Sequence, residues 1–255
     1  MFGSMTVARI RGIPVRLHVT LLAMCVISVV RFGWLGVPAA VVLFGSVLLH
    51  ELGHALVAQR FGIGIASIDL HLLGGMALMK SMPRRPSHEA LIAAAGPAVS
   101  MVLAALTGLL AIAFDARLDL GMPRPIDLLA YAAAVNLGMA LFNLIPALPL
   151  DGGRIFRALL SSRLGNLKAT NIAAWISRGF GLIFIAVGFY AQAWSLLLIG
   201  GLLFLMVRYE ERLALVRETW GPHGSFQPAM SPLHETREEY VDAHGRRYVV
   251  LTRLR

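Results

Sequence analysis

Two histidines and a glutamate within one apolar stretch form the most chemically informative pattern in the sequence. His50, Glu51 and His54 follow the order H-E-x-x-H in LLHELGHALVAQRF, a spacing that places both imidazoles on one face of a helix. Two such imidazoles can ligate one zinc ion, and the glutamate can act on a water at that ion. Hydrogen bonding between helices is the alternative role. Because ionisable groups in apolar spans are costly and normally functional, we favour the metal site.

A catalytic zinc site takes three protein ligands, so the sequence has to supply one more. The carboxylates near the ends of apolar segments are Asp69, Glu89, Asp127 and Asp151. We select Asp151, which closes NLIPALPLDGGR directly after an apolar segment. Taken alone, this motif is equally consistent with a helix end, where prolines stop the helix and two glycines allow a sharp turn.

Three other polar residues near these motifs are less specific candidates for a functional role. Asn143 precedes Asp151 by two turns and could offer amide hydrogen bonds to a substrate backbone or an oxyanion, or equally to a neighbouring helix. His18 and His71 lie in flanking segments, where we expect structural hydrogen bonds rather than ligation.

The amino-acid composition indicates the class of protein that positions these residues. Of 255 residues, 57% are hydrophobic and only 15% are charged, which excludes a soluble globular domain and a disordered chain. Continuous apolar runs, rather than alternation, exclude a membrane β-barrel. The sequence therefore predicts an all-α polytopic membrane protein. The net charge of +9 then suits loops near anionic lipid rather than direct nucleic-acid binding.

About six apolar runs are long enough to propose as membrane spans. They cover residues 17–30, 37–58, 90–114, 126–145, 171–190 and 193–207. The apolar segment 61–79 contains four glycines, Asp69 and His71, and its apolar residues partly alternate, so we predict a re-entrant β-hairpin-like segment instead of a seventh span.

Charge distribution orients these spans. With six spans, 19 of the 23 Lys and Arg residues lie on the side of both termini, which predicts cytoplasmic termini in a cell membrane. The second and fourth spans then run in the same direction, and the H-E-x-x-H residues reach the same depth as Asp151. Residues 1–207 are thus the predicted transmembrane domain. Residues 208–255 form a small basic cytoplasmic tail, with an amphipathic helix and a hairpin around residues 243–245.

These motifs together resemble the site-2 protease family of intramembrane zinc metalloproteases, peptidase family M50. The similarity covers roughly residues 10–207 and rests on HELGH at 50–54, LHLLGGMAL at 70–78, AGPAVS at 95–100 and NLIPALPLDGGR at 143–154. It is closest to the six-span branch, without the PDZ or CBS domains that other members carry.

This resemblance implies a site in which His50, His54 and Asp151 bind one zinc ion and Glu51 is the catalytic base. It also implies that Asn143, Gly74 and Gly75 contact substrate. The expected substrates are membrane-spanning proteins such as an anti-sigma factor or a membrane-tethered regulator. A metal-binding scaffold or transporter is the alternative, and a prenyl-protein processing protease is disfavoured because LDGG stands where that class needs a glutamate ligand.

Overall fold

Helices make up most of the described chain. The computed structural model describes residues 4–71, 74–83, 85–118, 124–220, 237–241 and 247–251. The helices are α1 (Thr20–Phe32), α2 (Gly36–Arg60), α3 (Pro86–Ala113), α4 (Leu128–Asn143), α5 (Asp151–Leu164), α6 (Asn166–Tyr190) and α7 (Trp194–Trp220). The strands are β1 (Ser4–Ile10), β2 (Ile13–His18), β3 (Ile65–His71), β4 (Gly74–Met79), β5 (Arg237–Val241) and β6 (Arg247–Leu251).

Four of the described helical segments are long and apolar enough to cross a bilayer. They are Gly33–Arg60, Pro86–Ala113, Pro125–Asn143 and Asn166–Tyr190, which correspond to α2, α3, α4 and α6, with a short helical turn preceding α2 and α4. The prediction of a mostly helical, polytopic membrane protein is therefore confirmed. The predicted spans 17–30 and 193–207 correspond to α1 and the first part of α7, which are not among these four.

A four-stranded sheet in the order β1-β2-β3-β4 corrects the all-α prediction. The strands β3 and β4 pair antiparallel, as a hairpin at 61–79 requires, but β1 and β2 were not predicted. Arg11 and Gly12 connect β1 to β2 with φ of 48° and 81°, the left-handed values that a two-residue hairpin turn needs. The strand β2 then pairs in parallel with β3, and helices α1 and α2 form the connection.

The sheet packs its apolar face against α2. Ile13, Ile68 and Leu70 are buried in one cluster with Ala55 and Ala58 of α2. Alternation along the strands then places Arg16, Asp69 and the two flanking histidines on the opposite face. The sheet is thereby fixed beside the C-terminal half of α2, which carries the H-E-x-x-H motif.

The chain forms two compact units, Met1–Glu218 and Thr219–Arg255. In the second unit, β5 and β6 pair antiparallel, so the predicted strands of the tail are present. The predicted turn at 243–245 lies outside the described residues. The predicted juxtamembrane helix is a direct continuation of α7, which runs to Trp220 without a break.

Candidate metal centre and its neighbours

The helix α2 holds three polar side chains on one buried face. Ser46, His50 and His54 are four residues apart, and all three are buried. Only 3% of His50 and 5% of His54 are exposed. Burial of two imidazoles at this level requires partners for their ring nitrogens, since unpaired polar groups are costly in an apolar interior.

Asp151 reaches this face from α5, of which it is the first residue. The segment between α4 and α5 folds tightly onto that helix start: a Cβ on Gly152 would lie 2.2 Å from the Leu144 carbonyl oxygen, and one on Gly153 2.4 Å from the carbonyl carbon of Ala147. The expectation that these glycines provide a sharp turn is therefore wrong. They lie within the first turn of α5 and allow close backbone approach, which brings the carboxylate inward.

The ligand atoms of these residues form a nearly equilateral triangle. His50 Nε2 and His54 Nε2 are 3.2 Å apart, and Asp151 Oδ2 lies 3.2 Å from each of them. Ligand atoms of a tetrahedral zinc ion with bonds of about 2.0–2.1 Å lie about 3.3–3.4 Å apart. The three atoms therefore fit three vertices of a zinc tetrahedron and leave the fourth open. Within the described residues this is the cluster with metal-ligand geometry.

Hydrogen bonds on the far side of each ring fix its orientation. His54 Nδ1 lies 2.7 Å from the Ile92 carbonyl oxygen, which can only accept, so Nδ1 carries the proton and Nε2 keeps its lone pair. His50 Nδ1 lies 2.9 Å from Ser100 Oγ. A carboxylate and two imidazole nitrogens match the donor set of a zinc ion.

Close packing of α3 against α2 is needed to make these bonds. A Cβ on Gly96 would lie 2.2 Å from His54 Nε2 and 2.7 Å from His50 Nε2. A Cβ on Gly53 would lie 2.9 Å from the Ala95 carbonyl oxygen, so Gly53 accommodates a neighbouring helix. Gly96 was not among the site residues predicted from the sequence. Its only signal was a small-residue segment, AGPAVS, that could pack tightly against another helix.

Glu51 lies beside the triangle but points towards the sheet. Its Oε2 accepts a hydrogen bond from the Ala77 backbone N–H of β4 at 3.1 Å. A Cβ on Gly75 would lie 2.6 Å from Glu51 Cγ, so this glycine makes room for the side chain. Of the two glycines expected to contact substrate, Gly75 thus contacts Glu51, while Gly74 begins β4 with a φ of 127° and open space around it.

The other sequence-selected residues are not part of the triangle. Asn143 donates from Nδ2 to the Met139 carbonyl oxygen of its own helix at 2.9 Å. The rings of His18 and His71 lie 5.2 Å apart at the ends of β2 and β3, and His18 Nδ1 lies 3.0 Å from Thr20 Oγ1. The carboxylates passed over as third ligands, Asp69, Glu89 and Asp127, are not part of the cluster.

A buried arginine, Arg157, connects three helices near the site. It was not among the site residues predicted from the sequence. Arg157 of α5 is 3% exposed and forms ion pairs with Glu89 of α3 and with Glu210 of α7, the latter at 2.8 Å. Burial acts to lower the pKa of its guanidinium, but the two carboxylates outweigh that effect and raise the pKa. Arg178 of α6 similarly pairs with Glu211 at 2.6 Å. These bonds join the helix that begins with Asp151 to α3 and α7.

Known proteins share both the sequence pattern and the fold. The model of peptidase family M50 matches residues 38–116 and 105–187. The zinc metalloprotease MJ0392 of Methanocaldococcus jannaschii is 36% identical over 217 residues, which are 84% of this chain and 62% of that protein. The putative zinc metalloprotease Rip3 of Mycobacterium tuberculosis is 39% identical over 69% of this chain and 47% of its own length. This chain thus spans less than two thirds of these curated relatives.

A solved structure gives the same result for the fold. The site-2 protease from Methanocaldococcus jannaschii superposes with a TM-score of 0.62 at 36% identity, covering 82% of this chain and 95% of that one. The family model matches more than half of the present chain, and it includes both the H-E-x-x-H helix and the segment with Asp151. On this evidence the chain belongs to peptidase family M50.

Proposed function

We propose that this protein is a zinc-dependent intramembrane endopeptidase of the site-2 protease type. The observation that carries the proposal is the buried triangle of His50, His54 and Asp151, with Glu51 beside it, among helices apolar enough to cross a membrane. A polar cluster with a purely structural role would not need three nitrogen and oxygen atoms separated by the distance between ligands of a tetrahedral zinc ion.

In this mechanism each residue has one task. His50, His54 and Asp151 hold one zinc ion, which when bound activates water and polarises the scissile carbonyl. Glu51 accepts a proton from the attacking water and transfers it to the leaving amide nitrogen, so that one water is consumed for each peptide bond broken. The hydrogen bonds of His54 to the Ile92 carbonyl oxygen and of His50 to the Ser100 hydroxyl keep the imidazoles aligned throughout.

The substrates we propose are membrane-spanning proteins such as an anti-sigma factor or a membrane-tethered regulator. A helical substrate hides its carbonyls in its own hydrogen bonds, so it must unwind locally before attack. The sheet supports such an intermediate because β4 is an edge strand among the described residues and lies directly against Glu51. Gly74 and Gly75 begin this strand, and we retain both with Asn143 as proposed substrate contacts.

We further propose six spans in the cell membrane, with both termini cytoplasmic and the β3–β4 hairpin re-entrant. The excess of Lys and Arg on the side of the termini supports this orientation. The first and sixth spans, within α1 and α7, are short and would depend on local thinning of the bilayer. Residues 1–207 would then be the protease domain and 208–255 a cytoplasmic basic tail.

Glu51→Gln tests this function. The wild type and the variant are reconstituted in vesicles with a fluorescent single-span model protein whose helix is weakened by a glycine pair. We expect cleavage by the wild type, none by Glu51→Gln, and one zinc per chain in both. Asp115→Asn is the matched control, since Asp115 is exposed and paired with Arg117 away from the site, and it should cleave normally. Equal cleavage by Glu51→Gln would refute the mechanism, and no cleavage by the zinc-loaded wild type would favour a metal-binding scaffold.

A further inference from the structure

The outer edge of β4 carries backbone groups whose direction follows from the register. Lys80 N–H donates to the Gly64 carbonyl oxygen at 2.8 Å, on the β3 side. Backbone groups of successive residues alternate between the two sides of a strand, so the N–H groups of Gly75, Ala77 and Met79 point away from β3. In the described part of the chain no strand pairs with this edge.

Glu51 occupies the central position of that edge. Its carboxylate accepts the outward N–H of Ala77, and its Cγ lies in the space that Gly75 leaves open. Two independent features, a hydrogen bond and a missing side chain, therefore place Glu51 along β4. A bond from an amide to a charged carboxylate is stronger than one to a neutral oxygen, so this arrangement is a stable one.

An added strand would need the same donor. Strand addition pairs each outward N–H of the edge with a carbonyl oxygen of the incoming backbone. The Ala77 N–H cannot serve both Glu51 and that carbonyl at full strength. Glu51 is also the residue that must be free to accept the proton in hydrolysis.

We propose that the Ala77 N–H holds Glu51 in a resting position on the β4 edge and that an extended substrate backbone releases it. This inference rests on the proposed function and adds a positioning group to it. The incoming carbonyl takes over the Ala77 N–H, and the displaced carboxylate becomes available for proton transfer only when a substrate strand is in place. Proton transfer is thereby coupled to substrate pairing.

Two inactive variants separate this proposal from a simple catalytic role for Glu51. The Glu51→Gln side chain retains an oxygen that accepts from Ala77, whereas Glu51→Ala leaves the donor free. Binding of a fluorescein-labelled peptide of alternating Val and Thr is measured by anisotropy on the zinc-loaded proteins. We expect Glu51→Ala to bind the peptide about two- to tenfold more tightly than Glu51→Gln, the effect of one hydrogen bond.

Ala77→Pro provides the matched background, because proline removes the donor and is tolerated on an edge strand. In that background the two Glu51 variants should bind the peptide equally. Equal affinities with Ala77 intact, or no binding by any variant, would overturn the inference. Cleavage by the wild type under the same conditions would leave the proposed function standing in either case.

A second measurement does not depend on the folding of Glu51→Ala. In zinc-loaded protein labelled with 15N-alanine, the Ala77 amide resonance is assigned with Ala77→Gly. Its proton should move upfield in Glu51→Gln, because a neutral acceptor replaces a charged one. An unchanged proton shift would show that Glu51 does not hold this N–H and would overturn the inference.

Discussion

Replacing Gly96 with alanine is the sharpest test of how the metal centre is built. The added Cβ would lie 2.2 Å from His54 Nε2, 2.5 Å from His54 Cε1 and 2.7 Å from His50 Nε2. Ordinary Cβ contacts begin near 3.4 Å. The imidazoles or the α3 backbone must therefore move by about 1 Å, whereas zinc ligation tolerates about 0.2 Å.

The expected result is a loss of zinc affinity well beyond that of an ordinary neighbouring mutation. Substitution of a residue that only orients a ligand typically lowers affinity by about 10–100-fold. Because Gly96→Ala displaces the ligand atoms themselves, we expect a reduction of at least about 100-fold. The measurement is competition of purified protein against a zinc chelator of known affinity, with circular dichroism to confirm that the helices are retained.

Gly108→Ala is the matched control on the same helix. A Cβ at Gly108 would lie 3.7 Å from the Ala133 Cβ, an ordinary contact. This variant should bind zinc like the wild type and be slightly more stable, since alanine favours a helix over glycine by about 0.5–1 kcal/mol. Wild-type zinc affinity in a folded Gly96→Ala protein would refute the close packing of α3 on the histidines.

Three further variants probe the surroundings of the site. Ser100→Ala removes the hydrogen-bond partner of His50 Nδ1 and should lower zinc affinity by about tenfold in the same chelator assay. Unchanged affinity would show that Ser100 does not orient the His50 ring. Gly152→Ala should displace Asp151, because its Cβ would meet the Leu144 carbonyl oxygen at 2.2 Å, and zinc retained in full would contradict this. Arg157→Met leaves two buried carboxylates unpaired and should lower the free energy of unfolding by about 3–5 kcal/mol in a denaturant titration. Adding Glu89→Gln and Glu210→Gln should restore part of that loss.

The sequence was informative wherever a short-range pattern carried the signal. Apolar runs predicted the long helices α2, α3, α4 and α6 to within a few residues at most ends, because burial in lipid requires such runs. The four-residue histidine spacing put His50 and His54 on one helical face. The family predicted from the motifs is confirmed, and the structure brings Asp151 to the two histidines, while the catalytic roles stay predictions.

The sequence was less informative where distant segments meet. Ile13, Val15 and Leu17 alternate with Pro14, Arg16 and His18, a strand pattern that overlaps the apolar span predicted to begin at residue 17. The parallel pairing of β2 with β3 joins segments separated by two helices, and no local pattern encodes it. Position 96 likewise requires glycine because α3 approaches α2 closely, and that approach is defined only in the folded chain.

The position of a bound zinc ion is the decisive test of the proposed metal centre. Diffraction data collected on either side of the zinc absorption edge would place the ion in crystals of the wild-type protein. We expect one anomalous peak per chain, about 2.0–2.2 Å from His50 Nε2, His54 Nε2 and an Asp151 carboxylate oxygen. A peak elsewhere, or one ligated by the histidines without Asp151, would contradict the proposed centre.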